Sequence, residues 1–222
     1  MKAKDHKVQA YFDRTAGEFD AIYDDTHPVL KRFVNKIFRK GMYERVALTI
    51  QECGHERKTA LDVGCGSGRI ALPLAEKGLK VTGIDYAPEM IKLAESYLKE
   101  WETKTKQQLP IEFVCGDFVE DFNPEELFDI VVALGLFDYI ENPVPFLAKM
   151  KTLAREKIIA AYPAKYVFQM PIRKLWLWKR GCPVYFYTRK TIKKIYASAG
   201  IKHYKILEVP AGYLVIASLA CQ

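Results

Sequence analysis

The sequence has no stretch long and apolar enough to span a bilayer. Its opening, MKAKDHKVQAYFDR, has a basic end with no apolar run behind it, so no secretory signal is expected. Cytoplasmic residence is the resulting expectation. Cysteine is sparse and scattered: Cys53, Cys65, Cys115, Cys182 and Cys221 form no CxxC, and no cysteine–histidine cluster has zinc-ligand spacing. No metal is expected, and the odd thiol count reads as reduced, mostly packed side chains rather than disulfides. Internal repeats and low-complexity tracts are also missing. What remains is an ordinary globular balance over 222 residues, half of them apolar and 27% charged, enough for one domain with a sizeable core.

Acidic residues run out along the chain. The formal net charge is +7, yet from Lys157 to the end there are 12 Lys or Arg against a single acid, Glu208. The positive excess therefore belongs to the C-terminal third.

Apolar periodicity predicts helix from Val8 to about Gln51, broken near Pro28, with Val29, Phe33, Val34, Ile37 and Phe38 and then Met42, Val46 and Ile50 at helical spacing. Strands are predicted at 59–63, 80–85, 111–115, 128–134 and 157–161. They alternate with helices at 69–76, 88–101 and 145–154, the first of these stopped by Gly78. Prolines at 163, 171 and 183 break the rhythm over 162–187. A helix over 188–199 and strands at 203–209 and 213–219 complete the chain. Alternating strands and helices imply a parallel sheet covered on both faces. Only Pro210, Ala211 and Gly212 separate the last two strands, too short a link for a parallel crossover, so they must pair antiparallel.

The strand at 59–63 runs into Leu61-Asp62-Val63-Gly64-Cys65-Gly66-Ser67-Gly68. Such a turn needs residues free to adopt unusual backbone angles beside a ligand, and the helix start behind it suits an anion or carboxylate. Gly68 falls one place early for the GxGxxG dinucleotide fingerprint, which argues against an NAD-dependent reductase. Asp85 closes the next strand, where a carboxylate can accept from both hydroxyls of a ribose. IEFVCGDF at 111–118 offers Asp117 as an acceptor for an amine and Phe118 as an apolar face, and FDIVVALGLFDYIENP at 128–143 is a nearly all-apolar strand of the kind buried at a sheet centre.

Together these four strings resemble class I (Rossmann-like) S-adenosylmethionine-dependent methyltransferases of the small-molecule type, over residues 60 to 160. The resemblance implies a doubly wound seven-stranded sheet with a C-terminal antiparallel hairpin, and S-adenosylmethionine as cofactor. It places Gly64, Gly66 and Gly68 against the methionyl part, Asp62 near its amino group and Asp85 on the ribose. Tyr86 and Met90 flank the adenine, Asp117 meets its exocyclic amine, Phe118 lies against the ring, and the segment beginning at Leu134 runs under the sulfonium. YFDRTAGEFDAIYDD at 11–25 resembles a helical cover from which Tyr11 or Arg14 reaches the cofactor or acceptor; a plain packing helix is the alternative. The turn around Phe137, Asp138 and Tyr139 also resembles Mg-protoporphyrin O-methyltransferases.

For the acceptor, the candidates for a base or a substrate hydrogen bond are Asp138, Tyr139, Tyr23 and His203, each with a structural alternative. The fourth string lacks the Asn/Asp-Pro-Pro-aromatic pattern of base-amine methyltransferases, and no Pro-Cys follows its strand. Residues 162–187 are expected to form an inserted lid, with Tyr139, Arg173, Trp176 and Tyr187 at the substrate. The aromatics and cations of 161–190 fit an anionic, partly apolar small molecule, while RNA or an anionic membrane surface is less favoured, and a packed connection with solvated charges is the bland reading. The expected organisation is one domain: a helical cover (1–57), a cofactor-binding core (58–161), the lid (162–187) and a C-terminal helix and hairpin (188–222). Methyl transfer to a small molecule is the expected activity. An RNA-modifying methyltransferase and a cofactor-binding protein without transferase activity are the alternatives.

Overall fold

The computed structural model describes residues 8–14, 43–54, 58–164, 182–210 and 212–219. Helices α1 (8–14) and α2 (43–53) precede β1 (Thr59–Val63), α3 (Ala71–Glu76), β2 (Lys80–Asp85), α4 (Pro88–Thr105) and β3 (Ile111–Cys115). They are followed by β4 (Phe128–Ala133), α5 (Pro143–Leu153), β5 (Ala154–Pro163), α6 (Arg189–Ser198), β6 (Tyr204–Val209) and β7 (Gly212–Ser218). The seven strands form one sheet in the order β3-β2-β1-β4-β5-β7-β6. β1 to β5 are parallel, and β7 runs antiparallel to both β5 and β6. The expected doubly wound fold with a C-terminal hairpin is therefore the fold observed.

The central strands are apolar on both faces because helices cover both. Leu61, Val63, Val131 and Ala133 pack into one core with Leu147 and Met150 of α5 and Ile192, Ile195 and Tyr196 of α6. Their neighbours in sequence, Ala60, Ile130 and Val132, point the other way, toward Ala71 and Leu74 of α3 and Cys53 of α2. Burying a side chain such as Ile192 contributes about 1.5–3 kcal/mol.

Element starts follow local chemistry. Thr188 caps α6 by accepting from the Thr191 amide, and Asn142 caps α5 by accepting from the Val144 amide, with Pro143 in the first turn. α5 therefore begins two residues before the sequence suggests.

β5 differs more. It runs through Tyr162 and Pro163, which the sequence reading assigned to the lid, because β7 stays paired with it as far as Pro163↔Gly212. A Cβ on Gly212 would lie 2.2 Å from the Tyr162 carbonyl oxygen, so only glycine lets the two backbones meet there. The middle of the expected lid, 165–181, and the middle of the expected N-terminal helix, 15–42, lie outside the described residues.

Candidate functional site

In a doubly wound sheet, ligands bind beyond the C-terminal ends of the strands, where the strand order reverses. Here that point lies between β1 and β4, and the predicted strings converge on it. The β1 turn carries Gly64, Gly66 and Gly68 at φ of +71°, +52° and +76°, all in the left-handed region. The turn is tied to β2 by amides of Gly64 and Cys65, which donate to the Ile84 carbonyl at 2.8 and 3.0 Å. Gly64 lies so close to the β4 loop that a Cβ there would come within 2.9 Å of the Leu136 side chain. A Cβ on Gly66 or on Gly135 would meet nothing within 4 Å, so there is room beside the turn and beside the start of the β4 loop.

Two carboxylates face this space. Asp85 is 9% exposed, its Oδ2 accepting from the Gly66 amide at 2.9 Å and its Oδ1 from the Ala87 amide at 3.0 Å. Burial raises its pKa, and those backbone donors counter the rise. Each oxygen keeps a further lone pair, so ribose hydroxyls can still be received. Asp62, near the end of β1, is 1% exposed, and among the described residues its Oδ2 has no hydrogen-bond partner. Burial, followed by the charge of Asp85, pushes its carboxyl up to about 7. A buried carboxyl oxygen with no donor among the described residues suits a cationic or N–H partner, as a ligand ammonium would provide.

Tyr86 is half-buried, and its carbonyl accepts from the Gln9 side-chain amide of α1 at 3.0 Å. Met90 is buried with Ala87 against Phe12. Asp117 follows β3, but its Oδ1 is engaged by the amides of Val119 and Glu120 at 2.8 and 3.1 Å, closing its own turn. Phe118 is 5% exposed, with its ring stacked on Phe146 at 6.0 Å; its place is in the core beneath the site. Leu134 is half-buried and packs toward the α2–α3 face.

α1 closes over the crevice. Tyr11 is buried in a cluster with Cys182, and Phe12 meets Tyr139 edge-to-face at 5.0 Å. Arg14 is exposed at the end of α1. Gln9, Phe12 and Cys182 were not among the expected site residues. Of these only Phe12 carried a signal, as part of the apolar face of its helix.

Two expected residues stand elsewhere. Tyr187, assigned to substrate, is 4% exposed, and its hydroxyl donates to the carbonyls of Phe137 and Ile140 at 3.0 and 3.2 Å. Burial first, and the charge of Asp138 second, push that hydroxyl up, so it remains a donor that holds the 137–140 turn. His203 precedes β6, whose far end, Val209, reaches Gly212 and Pro163 at the crevice. A six-residue strand spans about 20 Å, which puts His203 at the opposite edge of the sheet and removes it as a catalytic candidate. Asp138 is 5% exposed, its backbone oxygen accepting from the Tyr185 amide at 2.8 Å, and Tyr139 stands at the mouth beside Phe12. Tyr23, Arg173 and Trp176 lie outside the described residues.

Residues 61–158 match the family model described as a methyltransferase domain. A ubiquinone biosynthesis O-methyltransferase of Rickettsia conorii is 36% identical over 119 residues, covering 54% of this chain and 37% of that protein. One from Rickettsia felis is 34% identical over 90 residues, covering 40% and 34%. The matched stretch thus spans little more than a third of those relatives' length. Among solved structures, the magnesium protoporphyrin IX methyltransferase of Synechocystis with bound SAH superposes with a TM-score of 0.72. It is 20% identical and covers 95% of this chain and 96% of that one, a likeness of fold.

Proposed function

We propose that this chain, whose residues 61–158 match a methyltransferase domain, transfers a methyl group from S-adenosylmethionine to a hydroxyl oxygen of a small, partly apolar molecule. The observation that carries the reading is Asp62, a buried carboxyl at the foot of the glycine turn with one oxygen unpartnered among the described residues. A cofactor that brings its own ammonium satisfies that oxygen; a nicotinamide dinucleotide, which offers phosphates to such a turn, does not.

When bound, S-adenosylmethionine supplies a methyl on a sulfonium, a good leaving group. The chain's own work is therefore to hold, align and exclude water. Asp62 and Asp85 would fix the amino-acid and ribose ends. Tyr86 and Met90 would bound the adenine, with Asp117 at its edge. The turn from Leu134 to Tyr139, held from below by the Tyr187 hydroxyl, would present Tyr139 to the acceptor. Phe12 and Tyr11 keep that mouth apolar. A hydroxyl acceptor must lose a proton as it reacts, and Asp138 and Tyr139 are the groups proposed to receive or relay it.

The choice of oxygen is supported by the relatives, which are O-methyltransferases by name. The test is incubation with methyl-labelled S-adenosylmethionine and three acceptor sets: alkylated phenols, porphyrin carboxylates and transfer RNA. Label is expected in the phenols. Label in RNA alone would overturn the small-molecule reading.

A further inference from the structure

We propose that the outer face of α6 docks this protein on an anionic lipid surface, with Lys190, Lys193 and Lys194 as the contacting cations. α6 packs by one side only: Ile192, Ile195 and Tyr196 are buried, while Arg189, Lys190, Lys193, Lys194 and Ala197 are exposed and line a shallow concavity. The four cations stand at i, i+1, i+4 and i+5, along one stripe of the helix.

Local electrostatics oppose this arrangement. Arg189 and Lys190 lie in the first turn, where the helix dipole disfavours positive charge, and no acid stands there to compensate. Arg189 with Lys193 and Lys190 with Lys194 are like charges at i,i+4, which repel. Glu208, the one acid after Lys157, is spent on Arg189 at 3.0 Å across to the edge strand β6. Among the described residues none pairs with Lys190, Lys193 or Lys194. Three lysines along a like-charged stripe, with no partner among the described residues, are a feature that an external anionic surface offsets.

Two further points select lipid over nucleic acid. The aromatic of this helix, Tyr196, is turned fully into the core, so the exposed face has no ring on which a base could stack. A continuous stripe of lysines with no planar reading group matches an array of headgroup phosphates. Among the described residues no helix is long and apolar enough to cross a membrane.

The orientation is useful. α6 starts immediately after Tyr187, which bridges Ala164 just past the end of β5, so the stripe begins at the crevice rim. Docking by this face sets the mouth beside the lipid, from which a partly apolar acceptor can enter. That last step rests on the acceptor proposed above; the docking itself does not.

The experiment is co-sedimentation of the full chain with phosphatidylcholine vesicles, with and without phosphatidylglycerol, at low and high salt. The same is done for the K190Q/K193Q/K194Q variant, and anisotropy with a single-stranded RNA runs in parallel. Binding is expected only with phosphatidylglycerol, and it should fall at high salt. Each neutralised lysine should weaken it about fivefold, and all three about a hundredfold. Affinity for S-adenosylhomocysteine should be the same in both proteins, which separates failure of the docking face from failure of the cofactor site. No association with the anionic vesicles, or equal association of the variant, would overturn the proposal. Tighter binding to RNA that the variant loses would reassign the face to nucleic acid.

Discussion

Replacing Asp62 by asparagine removes a charge that the fold buries at a cost. The unfolded carboxyl titrates near 3.8 and the folded one at about 7, so the folded chain binds the proton more tightly. The contribution of this group to stability is fully present below about pH 4 and declines as pH rises toward 7. Above that it is constant at its lowest. The shift sets a ceiling of roughly 4 kcal/mol for the loss across that window. Asparagine has no such slope. At pH 8 the Asp62→Asn protein is expected to be more stable than the parent by about 1–4 kcal/mol, a rise in melting temperature of roughly 2–15 °C for a domain of this size. At pH 4 the two should melt together. Affinity should move the opposite way, because the variant cannot form a charge-assisted bond to the cofactor's ammonium, a loss of about 1.5–3 kcal/mol. Scanning fluorimetry from pH 4 to 8 and calorimetry with S-adenosylhomocysteine read the two effects separately. A variant that is less stable at pH 8 yet binds the nucleoside unchanged would refute the reasoning, since Asp62 would then be a structural group with a partner of its own.

Other residues give simpler expectations. Asp85→Ala should weaken cofactor affinity by about 1–3 kcal/mol, and it should also loosen the glycine turn, since Asp85 holds the Gly66 amide; calorimetry and fluorimetry check the two. Tyr187→Phe deletes a hydroxyl shared by the Phe137 and Ile140 carbonyls, with an expected loss of about 1–2 kcal/mol in stability by denaturant melts and a fall in kcat through the displaced Tyr139, while cofactor affinity stays near that of the parent. Gly212→Ala drives a methyl into the Tyr162 carbonyl oxygen at 2.2 Å and should shorten the β5–β7 ladder at the crevice end, read as faster amide exchange at Tyr162 and Pro163's neighbours.

The fold was largely legible because its signals are local. Runs such as Ile130–Ala133 are apolar throughout because both faces of a central strand are covered, and Gly78 and Gly200 stop helices through their left-handed backbones, at φ of +88° and +68°. The three-residue link at 210–212 could only join antiparallel neighbours. Bounds slipped where tertiary pairing decides them: nothing local says that β5 continues through Pro163, because the reason is Gly212, far along the chain.

The candidate site was legible where a motif combines a glycine turn with an acid at a strand end, as at Asp62 and Asp85, whose part in binding is proposed. It was not legible where a side chain's role depends on a remote partner. Tyr187 reads as one more aromatic beside a basic segment, and its bonds go to backbone carbonyls 50 and 47 residues away. Cys182 reads as an isolated thiol, and its neighbour is Tyr11 at the other end of the chain. His203 carries a chemically suitable side chain at a position that only the strand direction disqualifies. The charge excess of the C-terminal third was plain in composition, but its concentration on one side of α6 required the burial of Ile192, Ile195 and Tyr196.

The most direct test of the central claim is a calorimetric titration of the full chain with S-adenosylmethionine, S-adenosylhomocysteine and NAD, each against the parent and the Asp62→Asn protein. Micromolar binding of the first two to the parent is expected, weakened about ten- to a hundredfold in the variant, with no heat from NAD. Binding of NAD with no response to either sulfur nucleoside would contradict that claim.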